Sequence, residues 1–340
     1  MLCCGQCFND RGLKKQIIPQ SSTERGTCPI CGSTDQALIE PIALGDYFEF
    51  LIGIYRPDEN GKLLVEWLIE DWVLFKHPGI DQACANALLA AILDDGEIVR
   101  QKFVPMEQYQ SDRLDHWEKL RQELMHRNRF FPDTEFDRER LEDLLSSLIL
   151  DKDDESNPWY RARIEKGGQP YPVKEMGAPP ERVASHGRAN PAGIPYLYLG
   201  STQQTAVAEV RPHPGERVCV AEFVIDVDLQ IVDLREPRSL VSPFLLSDES
   251  AVGLLRGDIE FLERLGQELT TPVLPMSAAI DYIPSQYLCE FIKKCGYHGL
   301  IYSSSVSDGV NLALFDPAKA KVGDTKEFEV TRVTVNMVQM

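Results

Sequence analysis

Arg161, Arg188, Tyr196, Tyr198 and Glu209 lie among apolar residues between Trp159 and Pro212, in WYRARI and then GRANPAGIPYLYLGSTQQTAVAEVRP. Such residue types act on anions and rings. The planar forks of Arg161 and Arg188 suit a pyrophosphate, which they grip through paired hydrogen bonds where a lysine offers only a point charge. Arg188 lies in GRANP, a glycine-bounded loop whose backbone can approach a ligand closely. Tyr196 and Tyr198 alternate in IPYLYL and point the same way on a strand. Glu209 sits in TAVAEV, late in a short helix, where a carboxylate partly removed from water needs a partner. Arg211 is the nearby cation that would neutralise it. Further on, GYHGLIYSSSVSDGVNLALF adds a serine of the 303–305 run after an apparent strand. Arg161, Tyr198, Glu209 and one of those serines form a set able to hold a polyanionic, ring-bearing ligand such as a dinucleotide.

A second chemistry-bearing group opens the chain. Cys4-x2-Cys7 followed by Cys28-x2-Cys31 is the spacing of a four-thiolate zinc site, each pair making a tight turn that presents two sulfurs to one ion. The segment is too short to fold on an apolar core, so the metal would supply the folding energy. Cys3 is an extra thiol that competes with Cys4. Cys84, Cys219, Cys289 and Cys295 are scattered through apolar surroundings and read as buried free thiols.

The elements that position these groups fall into segments. With 340 residues, 43% apolar and 26% charged, the chain has the composition of a folded globular protein of about two domains. Residues 1–35 are expected to form a zinc ribbon and 36–155 an α-helical domain. The helical region runs through DYFEFLIGIY, with Phe48, Leu51, Ile52 and Tyr55 in helical spacing, and through KLLVEWLIEDWVLF up to Pro78. SDRLDHWEKLRQELMHRNRF and DRERLEDLLSSLIL follow as amphipathic helices. The charged stretch from Asp151 to Pro158 marks a boundary. Beyond it, VCVAEFVIDVDLQIVDL, GLIYSS, NLALF and EFEVTRVTVNMV read as strands, SQYLCEFIKKCG as a helix closed by Gly296, and Ser201 with Gln204 as a capping box. Strands and helices without regular alternation give an α+β fold.

Composition also excludes classes. A net charge of −18 argues against broad nucleic-acid binding, which needs a basic face. The longest apolar run, Ala87 to Leu93, is too short to span a bilayer, and no signal peptide is visible, so a cytoplasmic location is expected. Neither GxGxxG nor GxxxxGK occurs in a strand–helix context, so Rossmann and P-loop readings are not available.

The motifs YRAR, TAVAE and Tyr302-x-Ser304 resemble the RES family, named for an arginine, a glutamate and a serine, whose members include bacterial NAD-consuming toxins. The resemblance covers residues 156–325, with 326–340 as a terminal strand. It implies an ADP-ribosyltransferase-like split mixed sheet with helices, and NAD as substrate. It selects Arg161, with Arg163 as the fallback, and it selects Ser304 from the serine run. Catalytic roles fall to Glu209, Arg161 and Ser304. Arg161, Arg188, Tyr198 and Ser304 would bind the dinucleotide. Ala189 stands where many compact members carry an aromatic residue, so any stacking there is lost. The cysteine-rich start and Asn128–Phe131 (NRFF) resemble the helical domain, of suspected HEPN relationship, that precedes some RES domains.

The resemblance implies NAD breakdown, with an antitoxin protein or the chain's own N-terminal residues as restraint. Val207, two residues before Glu209, leaves no second carboxylate to activate a protein acceptor. Alternatives are a mono-ADP-ribosyltransferase, or a zinc-dependent RNA- or protein-binding module. In the latter, Arg121 and His126 are ribonuclease residues of a HEPN-like homodimer cleft.

Overall fold

The computed structural model describes residues 1–151, 158–226 and 228–334. By contacts the chain groups into two compact units, 1–115 with 236–263, and 116–235 with 264–340. The segment 152–157, where the sequence places a domain boundary, lies outside the described residues, as do 335–340 of the expected terminal strand.

The first unit opens with three short strands, β1 (Cys3–Cys4), β2 (Glu24–Gly26) and β3 (Gln36–Ile39), paired antiparallel in the order β1-β3-β2, with α1 (Ile18–Ser21) between β1 and β2. Next come α2 (Gly45–Ile52), β4 (Tyr55–Leu63), α3 (Leu64–Trp72), α4 (Gln82–Leu93) and β5 (Lys102–Pro105). The strand corrects the expectation of unbroken helix from Asp46 to Pro78. Tyr55 fits the helical spacing but begins β4, which pairs with β5. Pro57 and the Asn60–Gly61 pair, inside the stretch where the register with β5 shifts, outweigh the apolar period there, because proline lacks the amide a helix needs and Asn-Gly disfavours one.

In the second unit, α5 (Arg113–His126, beginning just before the unit boundary) and α6 (Arg138–Ser146) precede the sheet strands β6 (Trp159–Ile164) and β7 (Leu197–Gly200). Then follow α7 (Gln203–Glu209), β8 (Arg217–Ile225) and β9 (Ile231–Asp233). After a turn at Ser147 and Leu148, Ile149 bridges Val232 antiparallel and Leu150 donates its amide to the Ile231 carbonyl at the edge of β9 (2.8 Å). Helices α8 (Pro237–Leu240) and α9 (Glu249–Gly257) belong to the first unit, and α10 (Ile259–Thr270) begins there. The chain ends with α11 (Ala278–Asp281), α12 (Ile283–Lys294), β10 (Gly299–Ser303), β11 (Val310–Leu314) and β12 (Ala320–Glu329).

Seven strands make one mixed sheet in the order β12-β8-β6-β7-β11-β10-β9, with only β9 and β10 parallel. The fold is α+β, as the irregular alternation of elements implies. One face buries Trp159, Leu197, Leu199, Phe223, Leu312 and Leu314. Ala206 of α7 packs with Ala162, Val218 and Val220 on the other. The expected cap of α7 shifts by one residue. Thr202 caps it, its hydroxyl accepting from the Thr205 amide (3.0 Å), while the Ser201 hydroxyl takes the Val310 amide (3.1 Å). β12 starts at Ala320, where exposed Lys and Glu hide the alternation, and stops at Glu329, so the strand expected over 326–340 is displaced: residues 330–334 carry none.

Candidate active site

Strand alternation places Tyr198, Asn311 and Tyr302 on the sheet face that carries α7. β6 and β7 share one bridge, Tyr160 to Gly200, and then separate. Arg161 follows that bridge. Its Nη1 donates to the Tyr198 carbonyl (3.3 Å), and its buried Nε has no partner among the described residues. Burial, reinforced by the neighbouring Arg163 charge, pushes the Arg161 guanidinium down to about 10, and no carboxylate among the described residues counters it. A cation without a counter-ion in a desolvated place is a ready anion site. Arg163 turns elsewhere, donating to the Glu175 carbonyl (2.5 Å) and lying over the Tyr171 ring (4.0 Å).

Glu209 ends α7. Its Oε1 accepts from the Ser304 hydroxyl (2.7 Å) and from the Asn311 amide (2.6 Å). The carboxylate is exposed, which corrects the expected desolvation, and among the described residues its partners are these two neutral groups, not Arg211. The Ser304 oxygen in turn accepts the amides of Val306 and Ser307 (both 3.2 Å). With its lone pairs taken, the hydroxyl proton is directed to Glu209.

Tyr198 is held at its ring end. Its hydroxyl donates to Asn190 Oδ1 (2.7 Å) and accepts the Ala189 amide (3.0 Å), and burial raises its pKa. Gly187 permits this closeness, since a Cβ there would stand 2.5 Å from the Tyr198 hydroxyl. Arg188 donates to the Thr271 carbonyl (2.6 Å) and the Ser305 hydroxyl (3.3 Å) and lies over the Tyr282 ring (5.3 Å). Its acceptors are neutral, so its charge stays available. Tyr302 is buried, its hydroxyl raised by burial with Tyr198 and Glu209 adding and Arg188 opposing. Tyr196 is core, packed on Phe315 at 4.9 Å between ring centroids.

The structure therefore groups Glu209 with Ser304, links Ser305 to Arg188, and joins Arg161 to Tyr198 through the backbone. Sequence reasoning missed Asn311 and Asn190. Asn311 had a signal, because an amide inside the apolar run NLALF must find a partner when buried.

Cys4, Cys7, Cys28 and Cys31 converge in the first unit, their four sulfurs within 4.8 Å of one another and all buried. Cys4 and Cys31 are 3.5 Å apart, and Cys7 and Cys28 are 3.6 Å apart. Tetrahedral zinc with sulfur at 2.3 Å sets edges of about 3.8 Å, so the quartet fits the ion. Cys3 stands outside the quartet, its thiol pushed up to about 12 by burial.

Arg121 is engaged by Glu118 (2.7 Å) and Glu268 (2.6 Å), an ion-pair cluster that Arg264 shares, while His126 is exposed at the end of the same helix. Nothing in this arrangement favours a ribonuclease pair.

The RES domain model matches residues 158–332, just over half of the chain and the span from β6 past β12. The chain belongs to the RES family. Among solved structures it is similar to the M. tuberculosis MbcT–MbcA toxin–antitoxin complex, at 13% identity and a TM-score of 0.33, covering 56% of this chain and 92% of that one. No curated protein matches. No helix among the described residues is long and apolar enough to cross a membrane.

Proposed function

We propose that this RES protein cleaves the bond between nicotinamide and ribose in NAD and acts as a toxin or defence effector. The observation that carries the reading is Arg161, a half-buried guanidinium whose buried Nε has no partner and which meets no carboxylate among the described residues, in the same unit as a carboxylate anchored at one oxygen. A dinucleotide supplies what each lacks. Its pyrophosphate neutralises Arg161, and Arg188 adds a second positive charge. Nicotinamide is cationic when bound to ribose and leaves neutral, taking the electron pair of the broken C–N bond, so no general acid is needed. The ribose becomes oxocarbenium-like, and Glu209 opposite it stabilises that charge. Tyr198 seats the ring. Water, phosphate or a protein side chain then adds to the ribose carbon.

Zinc would be held by Cys4, Cys7, Cys28 and Cys31. Four thiolates close its coordination shell, so it supplies folding energy rather than a reaction site.

The test is to incubate the purified full chain with NAD and separate the products. Nicotinamide release is expected, with free ADP-ribose, its phosphate or labelled protein identifying the acceptor. A chain that binds zinc but releases no nicotinamide under any of the three conditions would leave only a binding module.

A further inference from the structure

We infer that Asn311 is a positioning residue that holds Glu209 in register with the ribose, an inference that rests on the NAD-cleaving reading of Glu209. Two donors converge on one oxygen, Oε1, leaving Oε2 without a hydrogen-bond partner among the described residues. The two donors differ in kind. Ser304 belongs to the loop after β10 and is fixed by that loop's own amides. Asn311 comes from inside the sheet and is 5% exposed, whereas the carboxylate it holds is exposed.

The register makes the reach possible. Asn311 pairs across the strands with Gly200 on one side and Tyr302 on the other. Gly200 offers no side chain, and a Cβ there would lie 2.8 Å from the Ala206 amide nitrogen, so α7 can rest against β7 only because that position is bare. The helix end is thereby brought down to the Asn311 amide. A buried amide has few other partners, and leaving it unpaired is costly, so the bond persists when the ligand comes and goes. With Oε1 pinned at two points, the carboxylate has one rotamer and presents Oε2 outward. Preorganisation of this kind stabilises charge that appears only in the transition state, and does not contribute to phosphate binding.

The experiment uses the full chain and nicotinamide release at pH 8, with Asn311→Ala, Asn311→Asp, Glu209→Gln and the Glu209→Gln/Asn311→Ala double variant. Asn311→Ala is expected to lower kcat by roughly tenfold to a hundredfold, the worth of one hydrogen bond to a charged group, with KM unchanged. Asn311→Asp has the same shape but puts beside Glu209 a buried carboxyl that donates only while it holds a proton and repels Glu209 once it loses it, so across a pH series its kcat should fall more steeply with rising pH than that of the wild type. In the Glu209→Gln background, adding Asn311→Ala should cost nothing further, since the residue acts only through that carboxylate. Wild-type kcat in Asn311→Ala, a rise in KM in place of the kcat loss, or an additive loss in the double variant overturns the inference. If Glu209→Gln alone keeps the wild-type rate, the reading of Glu209 fails first and takes this inference with it. If Glu209→Gln is dead and Asn311→Ala is normal, only the positioning role fails.

Discussion

At the scale of single residues, the proposed reaction rests on two charges, Glu209 and Arg161, which should fail in different ways. Glu209 acts on charge that develops during reaction, so Glu209→Gln should keep NAD binding and lose roughly a hundred- to a thousandfold in kcat, typical for removing one electrostatic contact to a transition state. Nicotinamide release and NAD titration on the same preparation check it, and a variant with wild-type kcat would refute the assignment. In the same proposal Arg161 acts before the reaction. Burial without a carboxylate partner among the described residues depresses its guanidinium to about 10, so the protein holds this cation at a cost. Arg161→Met should therefore melt at or above the wild-type temperature while its Kd for NAD rises roughly tenfold to a hundredfold. A lower melting temperature with unchanged affinity would make Arg161 a structural residue. Sequence types and spacing singled out both groups. What they did not reveal was solvent: TAVAE suggested a shielded carboxylate, yet Glu209 ends its helix with the charge exposed and one oxygen bonded. A one-dimensional apolar run does not say which side of a seven-residue helix faces the sheet.

At the scale of elements, strands were legible where β-branched residues alternate, as in VCVAEFVI, and less so where exposure hides the alternation, as in β12. The pairing of β4 with β5 was not legible, because its two strands lie far apart in sequence and helical spacing flanks both. The order that lays β7, β11 and β10 side by side, and so brings Asn311 to Glu209, is a long-range property that no local pattern carries. The cysteine ribbon is the opposite case, since spacing alone announces it. Each strand of its sheet has two to four residues, too little to stand without a staple. Purified chain is expected to carry close to one zinc, and Cys28→Ser to lose it and to loosen β1, β2 and β3 toward proteolysis. Elemental analysis with limited digestion decides this. A metal-free preparation with an undigested N-terminus would show that the ribbon holds by packing alone.

At the scale of the whole molecule, the RES match begins at residue 158, yet the second compact unit begins at 116. The residues between are part of its interior. Trp117 is fully buried and donates to Glu268 (2.9 Å), and Arg121 and Glu118 satisfy the buried Glu268 and its neighbour Arg264. Leu150 covers the edge of β9. The excursion 236–263 has its partners in the other unit, where Ser242 donates to Asp10 (2.9 Å) and Arg256 to Asp71 (2.6 Å). A fragment of residues 156–340 would thus bare a sheet edge, strip Glu268 of two donors and leave that excursion without its packing. Removing one side of a buried ion pair alone costs about 3–5 kcal/mol, against a net stability of about 5–15 kcal/mol for a domain. The fragment is expected to show no cooperative thermal transition by circular dichroism and no nicotinamide release, so the first 150 residues cannot be tested as a restraint by cutting them away. Restraint is read instead from the full chain expressed alone: growth arrest with falling NAD points to a separate antitoxin, and normal growth with an active purified enzyme points to inhibition within the cell by other means. A fragment that melts cooperatively and turns over NAD at the full-chain rate would mean that the residues before 156 are dispensable after all, and that the RES match marks the true folding unit.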